Sequence, residues 1–139
     1  MNYTDIFHKA AEMVGLSVVY CTMQGANVVL DTVRCYPVVV RPFEEPCTLL
    51  EDGLPTWERS ALLYFMTPAP GCEFETVEAV MPTIEEMRRV AVEFVRALRS
   101  LGVDATLGEF TNTMSRFDAL EAGVTVRMTT RYKDCACRG

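Results

Sequence analysis

The stretch Thr83–Leu101, TIEEMRRVAVEFVRALRSL, decides the fold. Wound as a helix, it sets Ile84, Met87, Ala91, Phe94, Val95, Leu98 and Leu101 along one stripe, the recurrence of an amphipathic helix. Glu85, Glu86, Arg88, Arg89, Glu93, Arg96 and Arg99 fall on the opposite face. Thr83 with Glu86 three residues on reads as a capping box, in which each side chain satisfies a free backbone N–H. The acids lie in the first turn and Arg96 and Arg99 in the last, which suits the helix dipole. Gly102 then supplies the residue that accepts a left-handed ending. A helix with one apolar stripe needs one surface to cover, and the chain on both sides is strand-like.

Upstream, Thr4–Val14 reads as a short helix with the stripe Ile6, Phe7, Ala10, Ala11 and Val14, ended by Gly15. Ser17–Cys21 is a β-branched run. The turn signal Gln24-Gly25 and the short strand Asn27–Leu30 make a hairpin with it. Thr32–Val40 continues the β character, and Pro37 inside it predicts a bend, a bulge or an edge. Arg41–Glu51 reads as a proline-containing loop leading into a short strand at Cys47–Leu50, with Asp52-Gly53 as a hairpin turn. Thr56–Met66 reads as the long partner strand. Trp57, Leu62, Tyr64 and Met66 take one side of it and Ala61, Leu63 and Phe65 the other. Apolar residues on both sides fit a strand covered on both faces or lying at a subunit contact.

Thr67–Gly71 breaks the chain, and Glu73–Val80 reads as an early helical turn with Pro82 near the first turn of the main helix. Downstream, Val103–Phe110 reads as a strand, Thr111–Ala122 as a loop and Lys133–Gly139 as a loose tail. In Gly123–Tyr132 the residues Val124, Val126, Met128, Thr130 and Tyr132 face one way. Thr125, Arg127, Thr129 and Arg131 face the other. Helix, strands, helix, two strands is an α+β order. It implies a single domain over 1–139, with a mainly antiparallel or mixed sheet. The long helix (about 83–101) and the short N-terminal helix pack on one face of it.

The composition bounds the function. At 139 residues the chain can bury roughly 68–70% of its unfolded surface, enough for a core without staples. Half the residues are hydrophobic and 23% charged, an ordinary globular balance. A net charge of −6 argues against a strongly basic nucleic-acid-binding domain. The opening MNYTDIFHKAAEMVG has no basic start or long apolar run, so a reducing, cytosolic setting with free thiols is the expectation. No apolar run approaches the ~20 residues that span a bilayer.

No catalytic constellation stands out. Cys135-Ala136-Cys137 has neither zinc spacing nor a second pair, and the single histidine, His8, sits beside Lys9 away from any acid or nucleophile. No cofactor and no metal are therefore expected. Glu44-Glu45, Glu51-Asp52 and Glu73, Glu75 and Glu78 read as solvated acidic loop faces that lack the rhythm of a calcium loop. In a ring of copies such loops would line a rim or lumen that repels DNA. Arg127, Arg131 and Lys133 put positive charge on one face of the last strand, which reads as a polar outer sheet face or as a salt-bridging partner for the acidic loops of a neighbour. Trp57, Tyr64 and Phe65 read equally as core or as interface aromatics.

Several segments carry a family likeness. They are Cys35-Tyr36-Pro37-Val38-Val39-Val40, Trp57-Glu58-Arg59-Ser60-Ala61-Leu62-Leu63-Tyr64-Phe65, Glu85–Phe94, Arg116-Phe117-Asp118-Ala119-Leu120 and Gly123-Val124, in that order around the elements above. The chain resembles small tail terminator or tail completion proteins of long-tailed bacteriophages and prophages. The resemblance implies a virion protein that forms a hexameric ring at the head-proximal end of the tail tube. The ring ends tube growth and meets the tail tube protein and the head-side connector, while DNA passes through its lumen without sequence-specific binding. It implies no turnover and no membrane. Residues placed at such contacts are Trp57, Arg59, Tyr64 and Phe65 on the long strand, Glu44, Glu45, Glu51 and Asp52 on the loops, and Arg127 and Arg131 on the last strand. A head–tail connector of similar size and a small cytosolic ligand-binding domain are the competing readings.

Overall fold

Two helices, Tyr3–Met13 (α1) and Val77–Ser100 (α2), both stop at a glycine. Gly15 and Gly102 take φ of +75° and +89°, a region that disfavours residues with a Cβ. Each closes the same pair of bonds. Gly15 N–H donates to the Glu12 carbonyl at 3.2 Å and Leu16 N–H to Ala11 at 2.8 Å. Gly102 N–H donates to Arg99 and Val103 N–H to Leu98, both at 3.1 Å. The Asn2 side chain caps α1 by accepting from the Asp5 N–H at 2.9 Å.

The computed structural model describes residues 2–22, 36–50, 56–69, 77–114 and 121–133. Six strands complete the order: β1 (Ser17–Cys21), β2 (Val38–Pro42), β3 (Cys47–Leu50) and β4 (Thr56–Pro68), then β5 (Asp104–Met114) and β6 (Glu121–Lys133) after α2. They form one mixed sheet ordered β1-β2-β4-β6-β5, parallel between β1 and β2 and antiparallel elsewhere. β3 pairs with Thr56–Arg59, so it shares with β2 the edge of β4 that β6 leaves open.

This is the expected α+β architecture, with both helices on one face. Phe94 of α2 meets Phe7 of α1 at 4.9 Å between ring centroids and Phe65 of β4 at 5.7 Å. Val39, Leu63, Val124, Val126 and Met128 floor the same layer. The opposite face has a smaller apolar cluster of Val19, Val38, Val40, Tyr64 and Met66. The C-terminal half of β4 is thus buried on both sides, as its sequence suggests.

Several boundaries move. α2 begins at Val77, so Thr83 and Glu86 lie inside the helix and form no capping box, and Pro82 stands within it. Pro82 removes the bond its N–H would have made to the Glu78 carbonyl. The added turn is held by Val80, 1% exposed on the same stripe as Ile84 and Met87. β2 starts after Pro37 and runs through Arg41 and Pro42, so the proline breaks no ladder and Arg41 lies in the sheet. Thr111–Met114 continue β5, and Glu121 and Ala122 open β6. Trp57 shares its side with Ala61, Leu63 and Phe65, because it pairs with Tyr132 of the helix-covered face. The expected strand Asn27–Leu30, the Asp52-Gly53 turn and the tail beyond Lys133 lie outside the described residues.

Two tight features join β6 to the rest. Gly123 pairs with Met66, and a Cβ there would stand 1.8 Å from the Phe65 carbonyl oxygen. Tyr36 donates its hydroxyl to Glu121 at 2.5 Å, and burial raises the pKa of the Glu121 carboxyl above its ordinary 4.5, against the lowering effect of that bond.

Gly123→Ala must push β6 away from β4. It is expected to lower stability by about 1–3 kcal/mol, read as a lower urea midpoint at unchanged slope. Glu121 gives a pH signature. An acid whose folded pKa is raised stabilises most below its unfolded value and loses that contribution as pH rises through the folded one. Urea titrations of the wild type and Glu121→Gln should therefore show the wild type falling relative to the variant as pH climbs above about 4.5.

Candidate subunit interface

The residues between β2 and β3, Phe43–Pro46, would be an ordinary exposed turn but for what holds them. Phe43 N–H donates to the Cys21 carbonyl of β1 at 2.9 Å, and Ser60 N–H of β4 donates to the Pro46 carbonyl at 3.2 Å. The turn is therefore fixed to the sheet at both ends.

Its third anchor is a buried ion cluster. Glu45 Oε1 accepts from Arg41 Nη2 and, at 3.3 Å, from Arg59 Nη1. The side chains of Arg41 and Glu45 are 1% and 4% exposed. Alternation along β2 places Arg41 in register with Tyr20 on the helix-covered face, beneath α1. Its guanidinium lies 5.1, 4.9 and 4.1 Å from the ring centroids of Tyr3, Phe7 and Tyr20. Arg59 sits 4.8 Å from the centroid of Tyr3. Such stacking suits a guanidinium, which is weakly hydrated and planar. Arg41 Nη1 also donates to Thr4 Oγ1 at 3.2 Å. Thr130 Oγ1 donates to the Tyr3 hydroxyl at 3.1 Å, and burial raises the Tyr3 phenol pKa. The cluster ties α1, β1, β2, β4 and β6 to one carboxylate.

That scaffold presents two exposed residues. Phe43 is 62% exposed, with its ring 5.9 Å from that of Tyr20, itself 39% exposed. Glu44 is exposed beside it, with no ion-pair partner among the described residues.

On the sheet face without helices, a hollow of about 320 Å³ lies between Pro42, Glu44, Pro46, Leu62, Tyr64 and Arg127. A neighbouring one of about 450 Å³ runs from Leu62 and Tyr64 to Thr111, Thr113 and Thr125. Arg127 is exposed and donates to Ser60 Oγ at 3.4 Å. Arg131 pairs with Glu58 at 2.9 Å, directly across from it in the ladder.

The residues expected at contacts therefore divide. Glu44 and Arg127 are exposed. Trp57 is half-buried beside Leu49 and Tyr132, and Tyr64 is buried at the wall of the hollows. Four expectations change. Glu45 is no solvated loop acid, because two guanidiniums take its carboxylate out of water. Arg59 is engaged by that same acid, and Phe65 is core, 0% exposed against Phe94. Arg131 is exposed but already neutralised within the chain. Glu51 and Asp52, and Glu73 and Glu75 with them, lie outside the described residues, as do Cys135 and Cys137. His8 is exposed, its Nδ1 donating to the Thr4 carbonyl at 2.9 Å. Among the described residues no group of three His, Cys, Asp or Glu could hold a metal ion, and no helix is long and apolar enough to cross a membrane.

Phe43 was not singled out by the sequence. A signal was there: an aromatic between two prolines, followed by two acids. No family model and no curated protein matches the chain.

Adjacent glutamates should behave oppositely. Glu45→Ala leaves Arg41 a buried charge without its counterion and is expected to lose about 3–5 kcal/mol. Glu44→Ala should stay within about 0.5 kcal/mol of the wild type. Urea unfolding of the two variants side by side measures the contrast.

Proposed function

We propose that this chain is a virion structural protein of the tail terminator or tail completion type. Its copies form a ring at the head-proximal end of a tail tube, end tube growth and join the tail to the head side. The reading rests on the resemblance in the order of elements and segments. The observation that carries it furthest is that Phe43, the most exposed large hydrophobic among the described residues, stands on a turn fixed by a buried ion cluster. A side chain on a fixed backbone is suited to contact, since less ordering is left to do on binding. The hollows on the helix-free face lie open along the sheet, a shape that fits the surface of another protein.

In this reading the protein works through interfaces, without turnover or cofactor. Its partners are further copies of itself, a tail tube protein and a head-side connector. The acidic balance of −6 suits a ring through which DNA slides without sticking.

Native mass spectrometry over a range of concentrations, with negative-stain images of the same sample, tests the proposal. A closed ring, of six copies above all, is expected. Ring formation should also be favoured by added tail tubes, whose growth it should stop. A chain that stays monomeric with and without tubes, and leaves their length unchanged, would overturn the reading.

A further inference from the structure

We propose that the outer edge of β5 takes up an added strand from another protein. The segment Phe110–Met114 supplies the main-chain hydrogen bonds, and a recess beside it receives one branched aliphatic side chain of that strand.

β5 ends the sheet order, and among the described residues no strand pairs with its outer edge. An edge strand presents a row of N–H and C=O groups that a further chain can extend, and folded proteins blunt such edges with charges, prolines and bulges. In β5 those devices lie in one half. Asp104 and Glu109 are exposed, and the register with β6 shifts between Leu107 and Phe110. The other half, Phe110-Thr111-Asn112-Thr113-Met114, holds no charge and no proline. It pairs with β6 without interruption, so its free edge is regular.

The recess lies at the same half. It measures about 130 Å³ and is lined by Val77, Val80 and Ile84 of α2 and by Asn112, Thr113 and Met114 of β5. No described residue of β6 lines it, which places it at the border of the sheet. Val77 is 61% exposed and leaves it open to solvent. Its volume is near the ~150 Å³ of an engineered apolar cavity that takes up benzene, so it suits the side chain of valine, leucine or isoleucine. A strand added about 4.8 Å beyond β5 turns alternate side chains to the two faces of the sheet. One of them reaches the recess on the helix side, and its neighbours lie beside Thr111 and Thr113 on the bare side. Main-chain bonds then give affinity, and the recess gives selectivity.

A second copy of β5 does not fit as the occupant. Its helix-side residues are already engaged in their own chain. Phe110 and Met114 pack on the core, and Asn112 Oδ1 accepts from Arg88 Nη2 at 2.9 Å. The strand therefore comes from a different sequence, and the inference stands apart from the ring reading.

A displayed library of random linear peptides, selected on the wild-type chain, supplies the probe. Binders should carry a branched aliphatic residue among β-forming neighbours, without proline, and should slow amide exchange at Phe110–Met114. Val77→Asp sets a carboxylate at the recess and at the start of α2, where the helix dipole accepts an acid. That variant should keep the wild-type urea midpoint and bind the selected peptides at least about tenfold more weakly. Methylating alternate nitrogens of a binder should abolish binding in one phase, where the N–H groups face β5, and spare it in the other. A selection that yields no binder, binders indifferent to Val77→Asp or to methylation, or protection that maps away from β5 would overturn the proposal. So would protection of Phe110–Met114 in the wild type alone as its concentration rises, since a second copy would then be the occupant. None of these outcomes bears on whether the copies form a ring.

Discussion

One carboxylate, that of Glu45, holds two arginines inside the fold. A lone guanidinium as buried as Arg41 would be costly, and an ion pair in the interior recovers its desolvation only with good geometry and further bonds. Here the further contacts are aromatic. Tyr3, Phe7 and Tyr20 surround Arg41 with ring faces, and Thr4 takes one of its N–H groups. The cluster depends on elements distant in sequence being in place together. α1 supplies Tyr3, Thr4 and Phe7, β1 Tyr20, β2 Arg41, β4 Arg59, and the turn Glu45. It therefore specifies how α1 lies across the sheet, a task that interchangeable aliphatic contacts perform less selectively.

The sheet then has two unequal faces. Under the helices, Phe7, Phe65 and Phe94 interlock edge to face, an arrangement that fixes relative orientation as well as burying area. On the other side the apolar cluster is confined to β1, β2 and the end of β4, and the rest carries threonines and charges. Thr113 and Thr125 bond at 2.6 Å and Arg131 bonds across the ladder to Glu58 at 2.9 Å. Polar groups that satisfy one another across strands allow a sheet face to remain in water.

The helices and the strand phases were legible because they rest on local periodicity. The alternation of Val124, Val126 and Met128 against Thr125 and Arg127 gives the two faces of β6 directly. The endings at Gly15 and Gly102 are equally local. What stayed hidden depends on distant partners. Arg41 and Glu45 read as loop charges because nothing near them in the chain announces three aromatic rings from α1 and β1. Thr83-x-x-Glu86 has the form of a helix start, but the burial of Val80 carries the helix past it. The sequence groups Trp57 with Leu62 and Tyr64 because the polar residues between them blur the alternation, and only the pairing with Tyr132 sets it on the helix-covered side. Charge alone did not separate Glu44 and Arg127 from Glu45 and Arg59, which pair inside the fold, and Phe65 could not be told from a surface aromatic until Phe94 was laid over it.

The same cluster that organises the interior also governs what the surface can do. A turn carrying an exposed phenylalanine would ordinarily fold its ring back or sample many positions, and binding would have to remove that freedom. Here the backbone is bonded to β1 and β4, and the residue after Glu44 is anchored in the core. Phe43 is left with little more than its own side-chain rotations. The cation on the bare face is constrained in the same manner, since Arg127 springs from the middle of a strand paired along its whole length with β4. The turn and the strand that carries Arg127 are thus both held by backbone bonds to β4.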